Sequence, residues 1–279
     1  MGKGEFILSI FEKDTVKLYY ELRGKEDAKE TVVFLNGVMA STNSWYALSK
    51  PLEELGYRVL LHDFKGQLKS DKPEGPYSFL DHAKELLALL DHLNIQKAHV
   101  IGTSYGGEVA LRFATLFPER MHSMVVIDST SELTGVCQGF VSSWIAPAKR
   151  GDGEAFFNTL MPSIYGESFL KKEEAFLRKR AKATKDIGED YLHGQVILYE
   201  TFLQDVAMDL SELQKIQAPT LVICGEQDIL KTPKESLRIH QGIEGSEYVL
   251  LPDCGHVSIF EKPKEITTLL LGFLLKHKS

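Results

Sequence analysis

The chain alternates short, uninterrupted apolar runs with longer segments in which apolar residues recur at helical spacing. Runs such as Thr31–Leu35, Arg58–His62 and Met124–Ile127 are typical of strands that are buried on both faces. The segment Tyr77–Leu93 instead places its leucines on one face of a helix. Strands and helices in alternation predict parallel strands with helices on both faces of the sheet.

The apolar runs predict eight strands in all. Phe6 to Tyr20 contains two strands of an antiparallel hairpin, and further buried strands end at Ile101, Cys224 and Leu251. We therefore predict an α/β fold with a doubly wound, mostly parallel, eight-stranded sheet.

The alternation lapses between residues 133 and 210, where no strong buried-strand run occurs. Amphipathic pieces rich in aromatic residues replace it: Phe140–Ile145, Ala155–Met161, Phe169–Ala183 and Asp190–Met208. This pattern predicts a helical cap of residues 133–210, inserted after the sixth strand. Residues 1–132 and 211–279 then form the core.

A G-x-S-x-G motif lies between a predicted strand and a predicted helix, with Ser104 at its centre. The two outer glycines allow the sharp turn that raises a nucleophilic hydroxyl above the edge of the sheet. Asp228 and His256 follow later strands at the same edge, where a base and its orienting acid are needed. Asp128 also ends a strand there and remains an alternative for the acid. Glu108 is interpreted as solvated or structural.

Five segments together resemble the α/β-hydrolase fold superfamily, in particular its single-chain serine esterases and lactonases with a helical cap. They are Asn36-Gly37, Asp63–Asp71, Gly102–Gly107, Gly225–Asp228 and Gly255-His256. The resemblance covers nearly the whole chain and implies a Ser104, Asp228 and His256 triad. The backbone N–H groups of Val38 and Tyr105 are expected to form the oxyanion hole.

The chain departs from this family pattern in two loops. Asn36 stands where histidine is usual, and Leu68 stands where glycine is usual. We expect the hydrogen bonds that support the first loop to differ, and the second loop to have a different local backbone, because leucine lacks the left-handed freedom of glycine.

The motifs predict hydrolysis of a small carboxylic ester, lactone or thioester through an acyl-enzyme, without cofactor or metal. The alternatives on the same triad are a C–C bond hydrolase, a perhydrolase, or a ligand receptor with slow hydrolysis. Trp144 and Phe202 are predicted to line an apolar acyl pocket, although packing of the cap onto the core would also explain them.

The amino-acid composition argues against some classes of binding partner. A net charge of −7 gives no general attraction to nucleic acid or to an anionic membrane. The first residues contain no apolar stretch of a signal peptide, and no apolar run is long enough to span a membrane. Three scattered cysteines, Cys137, Cys224 and Cys254, are interpreted as free thiols of a cytoplasmic protein. The sequence leaves a monomer and a homodimer open.

Overall fold

The computed structural model describes residues 5–278, and its eight strands form one sheet. The strands are β1 (Glu5–Lys13), β2 (Val16–Gly24), β3 (Thr31–Leu35), β4 (Arg58–His62), β5 (Ala98–Thr103), β6 (Met121–Ile127), β7 (Thr220–Gly225) and β8 (Glu247–Leu251). Their order in space is β1-β2-β4-β3-β5-β6-β7-β8. β2 pairs antiparallel with β1 and β4, and the other neighbours pair in parallel. The predicted hairpin and mostly parallel sheet are confirmed.

Helices cover both faces of this sheet. They are α1 (Tyr46–Glu54), α2 (Phe79–His92), α3 (Tyr105–Leu116), α4 (Gly135–Lys149), α5 (Gly153–Ile164), α6 (Glu167–Lys172), α7 (Glu174–Ala183), α8 (Glu189–Asp205), α9 (Leu210–Leu213), α10 (Pro233–Gly242), α11 (Ser258–Glu261) and α12 (Pro263–Lys276).

The central strands divide the core into two apolar layers. In β3, Val33 and Leu35 belong to the layer that includes α2 and α3, whereas Val32 and Phe34 belong to the layer of α1 and α12. Successive side chains of a strand point to opposite faces, so every residue of β3 is buried in one layer or the other. This explains the unbroken apolar run in the sequence.

Six α-helices, α4 to α9, lie between the end of β6 and the start of β7, and five of them, α4 to α8, lie wholly within the predicted insertion of residues 133–210. Two of the predicted helical pieces end too early, because Pro147 and Pro162 lie inside α4 and α5 rather than after them. Both prolines fall in the last turn, where the loss of one backbone donor disrupts little of the helix. The predicted piece Phe169–Ala183 is two helices, α6 and α7.

Residues 1–4, which begin the segment where no signal peptide is expected, lie outside the described residues, as does residue 279. Within residues 5–278, no helix is both long and apolar enough to cross a membrane.

Candidate active site

Ser104 lies at a sharp turn between β5 and α3. Its backbone has φ 51° and ψ −120°, a conformation that non-glycine residues rarely adopt. The flanking glycines make room for this turn. A Cβ at Gly102 would lie 2.2 Å from the carbonyl oxygen of Gly106, and a Cβ at Gly106 would lie 2.1 Å from that of Leu35. The turn therefore requires glycine at both positions.

The structure brings the three predicted triad residues into one hydrogen-bonded chain. Nε2 of His256 is 3.0 Å from Oγ of Ser104, and Nδ1 of His256 is 2.7 Å from Oδ2 of Asp228. Oδ1 of Asp228 accepts the backbone N–H groups of Leu230 and Lys231, both at 2.9 Å. Those two bonds fix the carboxylate so that its other oxygen faces the imidazole.

The carboxylates near His256 shift the pKa of its imidazole. Burial by itself lowers the pKa of His256, but the Asp228 carboxylate, and more weakly that of Asp128, stabilise the imidazolium. The net pKa of His256 therefore lies above its usual value. A histidine of this kind is a stronger base than a free imidazole, which suits it to accept the serine proton.

The alternative acid, Asp128, has different partners. Its Oδ2 accepts hydrogen bonds from the backbone N–H and the hydroxyl of Ser258, and its Oδ1 accepts the N–H of Gly225. Burial and the nearby Asp228 carboxylate raise the pKa of Asp128 to about 7. Asp128 thus joins the loops that carry Asp228 and His256, whereas Asp228 contacts the imidazole.

Asp128, Cys224 and Asp228 also place one possible metal ligand each within 4.8 Å of one another. The two carboxylates already accept hydrogen bonds from backbone N–H groups, and Sγ of Cys224 donates to the carbonyl of Gly225. Burial raises the pKa of the Cys224 thiol well above its usual value, so a thiolate ligand is disfavoured. These residues fit a hydrogen-bonded loop support better than a metal centre.

The loop after β3 carries the predicted oxyanion donor Val38, which lines the cavity at Ser104. Tyr105 is the first residue of α3, so its N–H belongs to the turn of the helix that has no intrahelical acceptor. Asn36 supports the loop in place of the usual histidine. Its Nδ2 donates to the carbonyl of His62 and to the side chains of Asp63 and Gln67, while its Oδ1 accepts from the indole of Trp45.

Apolar side chains of the core and of the inserted segment together enclose the cavity in front of Ser104, and six of them come from the inserted segment. These are Trp144, Phe157, Leu160, Ile164, Tyr165 and Tyr199. Of the two residues predicted to line an acyl pocket, Trp144 is among the residues that line this cavity and Phe202 is not. Its ring instead lies 4.5 Å from Nζ of Lys231. Arg180 is the one lysine or arginine among the lining residues in the described part of the chain, and its guanidinium lies over Phe157.

The histidine loop is hydrogen-bonded to the inserted helices. The backbone N–H of His256 donates to the carbonyl of Ile164 at 2.8 Å. One carboxylate oxygen of Glu261 accepts the N–H groups of both Gly166 and Gly255, at 3.2 and 3.0 Å. The end of α5 is therefore fixed directly to the loop that carries the imidazole.

Sequence reasoning missed Lys231, and it left Glu108 open between a solvated and a structural role. Both are buried, and Nζ of Lys231 lies 2.8 Å from both carboxylate oxygens of Glu108 and 3.1 Å from Oγ of Ser104. Glu108 is therefore not solvated. The sequence positions of the two residues were the signal that could have placed them at the site. Glu108 is four residues after the nucleophile, on the same face of α3, and Lys231 is three residues after Asp228.

Comparison with known proteins identifies the family of this chain. The profile of the family described as "alpha/beta hydrolase fold" matches residues 30–263. The chain belongs to the α/β-hydrolase fold family. A 2-hydroxy-6-oxononadienedioate/2-hydroxy-6-oxononatrienedioate hydrolase of Klebsiella pneumoniae subsp. pneumoniae is 30% identical over 264 residues, which cover 90% of this chain and 88% of the relative.

Two solved structures place this α/β hydrolase among enzymes of the same architecture. An alpha/beta hydrolase enzyme from a Medee basin deep-sea metagenome library is 31% identical, with a TM-score of 0.90 and coverage of 95% of this chain and 97% of the other. An N-acyl homoserine lactone degrading enzyme is 27% identical, with a TM-score of 0.80 and coverage of 95% and 100%. The chain is a hydrolase of this fold.

Proposed function

We propose that this α/β hydrolase cleaves carboxylic esters, including lactones and thioesters, through an acyl-enzyme on Ser104. The observation that carries the proposal is the continuous hydrogen-bonded chain from Oγ of Ser104 through His256 to Asp228. A serine hydroxyl is a weak nucleophile at its own pKa, and a base in this position removes its proton as it attacks.

Each step of the reaction has a residue in place. His256 takes the Ser104 proton while Oγ attacks the carbonyl carbon, and the N–H groups of Val38 and Tyr105 stabilise the oxyanion. His256 then gives the proton to the leaving alcohol, and Asp228 stabilises the imidazolium in between. Water, deprotonated by His256, hydrolyses the acyl-enzyme and restores the hydroxyl.

The cavity supports a small, mainly apolar acyl group. Its aromatic and aliphatic lining from the inserted helices favours burial of hydrocarbon, and its position against Ser104 places the acyl carbonyl at the nucleophile. We propose that residues 133–210 form a cap domain over the core of residues 1–132 and 211–279. The three cysteines are free and buried, which supports our proposal of a cytoplasmic location.

A second candidate is C–C bond hydrolysis, which Arg180 favours. The name of the Klebsiella relative describes a ketone with two carboxylates and no ester, so its hydrolysis breaks a carbon–carbon bond. The Arg180 guanidinium in the cavity is suited to bind one carboxylate of such a substrate. The second carboxylate of a dicarboxylate would find no further lysine or arginine among the lining residues in the described part of the chain. For this reason we place ester hydrolysis first.

Parallel assays separate the two candidates. We expect wild-type enzyme to turn over short p-nitrophenyl esters many times, with a kcat/KM at least about tenfold above that for a 2-hydroxy-6-oxodienoate. Arg180→Met removes the charge and keeps most of the volume, so ester turnover is expected to change less than about threefold. Faster cleavage of the dienoate, lost in Arg180→Met, would reverse the assignment, and a single turnover of every substrate would indicate a receptor.

The cap lining is expected to set the preferred acyl length. Trp144→Ala enlarges the cavity, so the optimum in a p-nitrophenyl ester series shifts to acyl chains longer by a few carbons, each worth ~1–3 kcal/mol at most. Phe156→Ala is the matched control, because Phe156 is buried in the cap beside Tyr199 but does not line the cavity. A Trp144→Ala enzyme with a lower Tm and the wild-type profile would show that Trp144 only packs the cap.

A further inference from the structure

A buried ion pair lies directly beside the nucleophile, and the triad chemistry makes no use of it. Lys231 is 3% exposed and Glu108 is 2% exposed. Nζ of Lys231 is 2.8 Å from Oε1 and from Oε2 of Glu108, and 3.1 Å from Oγ of Ser104. Removing two charges from water is costly unless their geometry is good, so a pair at this place needs an explanation.

The two elements that already carry the triad build this pair. Lys231 follows Asp228 in the loop after β7, and its backbone N–H is held by Oδ1 of Asp228. Glu108 is in the first turn of α3 and also accepts the backbone N–H of Thr130 at 2.9 Å. Burial raises the pKa of Glu108, and the Lys231 ammonium opposes that rise. The Glu108 carboxylate thus balances the charge of the Lys231 ammonium and holds it against Ser104.

The hydrogen bonds around Oγ of Ser104 are compatible in direction. The hydroxyl donates to Nε2 of His256, and its oxygen accepts from Nζ of Lys231. We propose, on the basis of the acyl-enzyme function above, that Lys231 is a further catalytic residue. Its ammonium stabilises negative charge on Oγ, chiefly when this oxygen leaves the acyl carbon during deacylation.

Lys231 accelerates deacylation more than acylation, because its hydrogen bond to Oγ is weaker in the acyl-enzyme than in the free enzyme. In the acyl-enzyme, Oγ is an ester oxygen whose electron density is shared with the acyl carbonyl, so it is a poor acceptor. As the Oγ–carbon bond breaks, the oxygen gains charge and the bond from Lys231 strengthens. Before acylation, Oγ is a hydroxyl oxygen that already accepts well. Only interactions that strengthen in the transition state accelerate a step.

The proton balance leaves Lys231 charged throughout. A bond forms between the water oxygen and the acyl carbon, and the water proton goes to His256. The Oγ–carbon bond then breaks, His256 returns that proton to Oγ, and the carboxylic acid leaves. Lys231 transfers no proton in these steps and only donates hydrogen bonds, two to Glu108 and one to Oγ of Ser104.

The test separates the two steps kinetically. With an activated p-nitrophenyl ester, acylation is fast, so kcat reports deacylation and kcat/KM reports acylation. We expect Lys231→Met to lower kcat by about 10- to 100-fold, the range for loss of one charged hydrogen bond, and kcat/KM by less than about threefold. KM falls with kcat, and intact-protein mass spectrometry after a rapid quench shows the acyl-enzyme accumulating.

The control is a second ion pair of the same kind. Lys65 lies 2.8 Å from Glu85 and over the ring of Tyr77, as Lys231 lies over Phe202, but the loop after β4 and helix α2 build this pair. Lys65→Met is expected to lower Tm without accumulation of acyl-enzyme. If Lys231→Met does not fold, Glu108→Gln/Lys231→Met removes both charges at nearly constant volume and is expected to show the same loss of kcat.

Two results would overturn the role of Lys231. One is a folded Lys231 variant whose kcat equals that of wild type. The other is an equal fall of kcat and kcat/KM, without accumulated acyl-enzyme, which indicates structural support. A failure of the proposed function is a different result, because wild-type enzyme would then form no acyl adduct at Ser104 with any ester.

Discussion

Ser104→Ala is expected to lower ester kcat/KM by about 10⁵- to 10⁶-fold, because it removes the hydroxyl that forms the acyl-enzyme in the proposed reaction. The fold should persist, since alanine lacks only the hydroxyl oxygen of serine and the turn depends on Gly102 and Gly106 rather than on that hydroxyl. Steady-state kinetics with p-nitrophenyl butyrate and a Tm measurement test the two parts separately.

Covalent labelling supplies the control for this first prediction. A fluorophosphonate probe should modify wild-type enzyme at Ser104 and leave Ser104→Ala unmodified. Ser163→Ala is the matched variant, since its buried hydroxyl only donates to the carbonyl of Leu160 within α5. It should label and turn over as wild type does. Persistent labelling of Ser104→Ala would assign the nucleophile to another residue.

Asp228→Asn is expected to lower kcat by about 10⁴-fold, because the amide presents N–H to Nδ1 of His256 and favours the wrong tautomer. The backbone hydrogen bonds from Leu230 and Lys231 go to the other oxygen, so the loop after β7 should keep its conformation. A pH–rate profile and a Tm measurement on the same sample distinguish lost catalysis from lost structure.

Asp128→Asn is expected to affect stability more than activity, whereas Asp228→Asn affects activity more than stability. Its carboxylate accepts the backbone N–H groups of Gly225 and Ser258, and an asparagine amide cannot accept with both of its ends. We expect this variant to lose about 1–3 kcal/mol of stability. Its kcat should remain at least about a hundredfold above that of Asp228→Asn. If Asp128→Asn were the more inactive enzyme at equal stability, the acid would be Asp128.

The sheet could be predicted because its central strands are buried on both faces. Val32 to Leu35 fill two apolar layers at once, so the run contains no polar break, and the glycines of the elbow mark where β5 ends. The helix ends in the cap were less predictable. Pro147 and Pro162 resemble stop signals, but tertiary packing holds the last turns of α4 and α5 around them.

The site could be predicted only as far as its residues follow strands. Asp228 and His256 come directly after β7 and β8, so the topology brings them to the edge where Ser104 lies. The contact of Lys231 with Phe202 depends on side-chain packing between the loop after β7 and α8, and the position of Lys231 three residues after Asp228 does not by itself reveal that contact. Likewise, Asn36 is a departure from the family in sequence, whereas in space its four hydrogen bonds support the oxyanion loop.

The hydrogen bonds between the histidine loop and the end of α5 set a rule for chimeric enzymes. The acceptor for His256 is the backbone carbonyl of Ile164, which any grafted residue supplies. Gly166 is different, because a Cβ there would lie 2.9 Å from the side chains of Gln227 and Glu261 and from the backbone nitrogen of Gly255. A cap transplanted from another hydrolase therefore needs glycine at this junction, or the recipient's imidazole is displaced before any new substrate is tested.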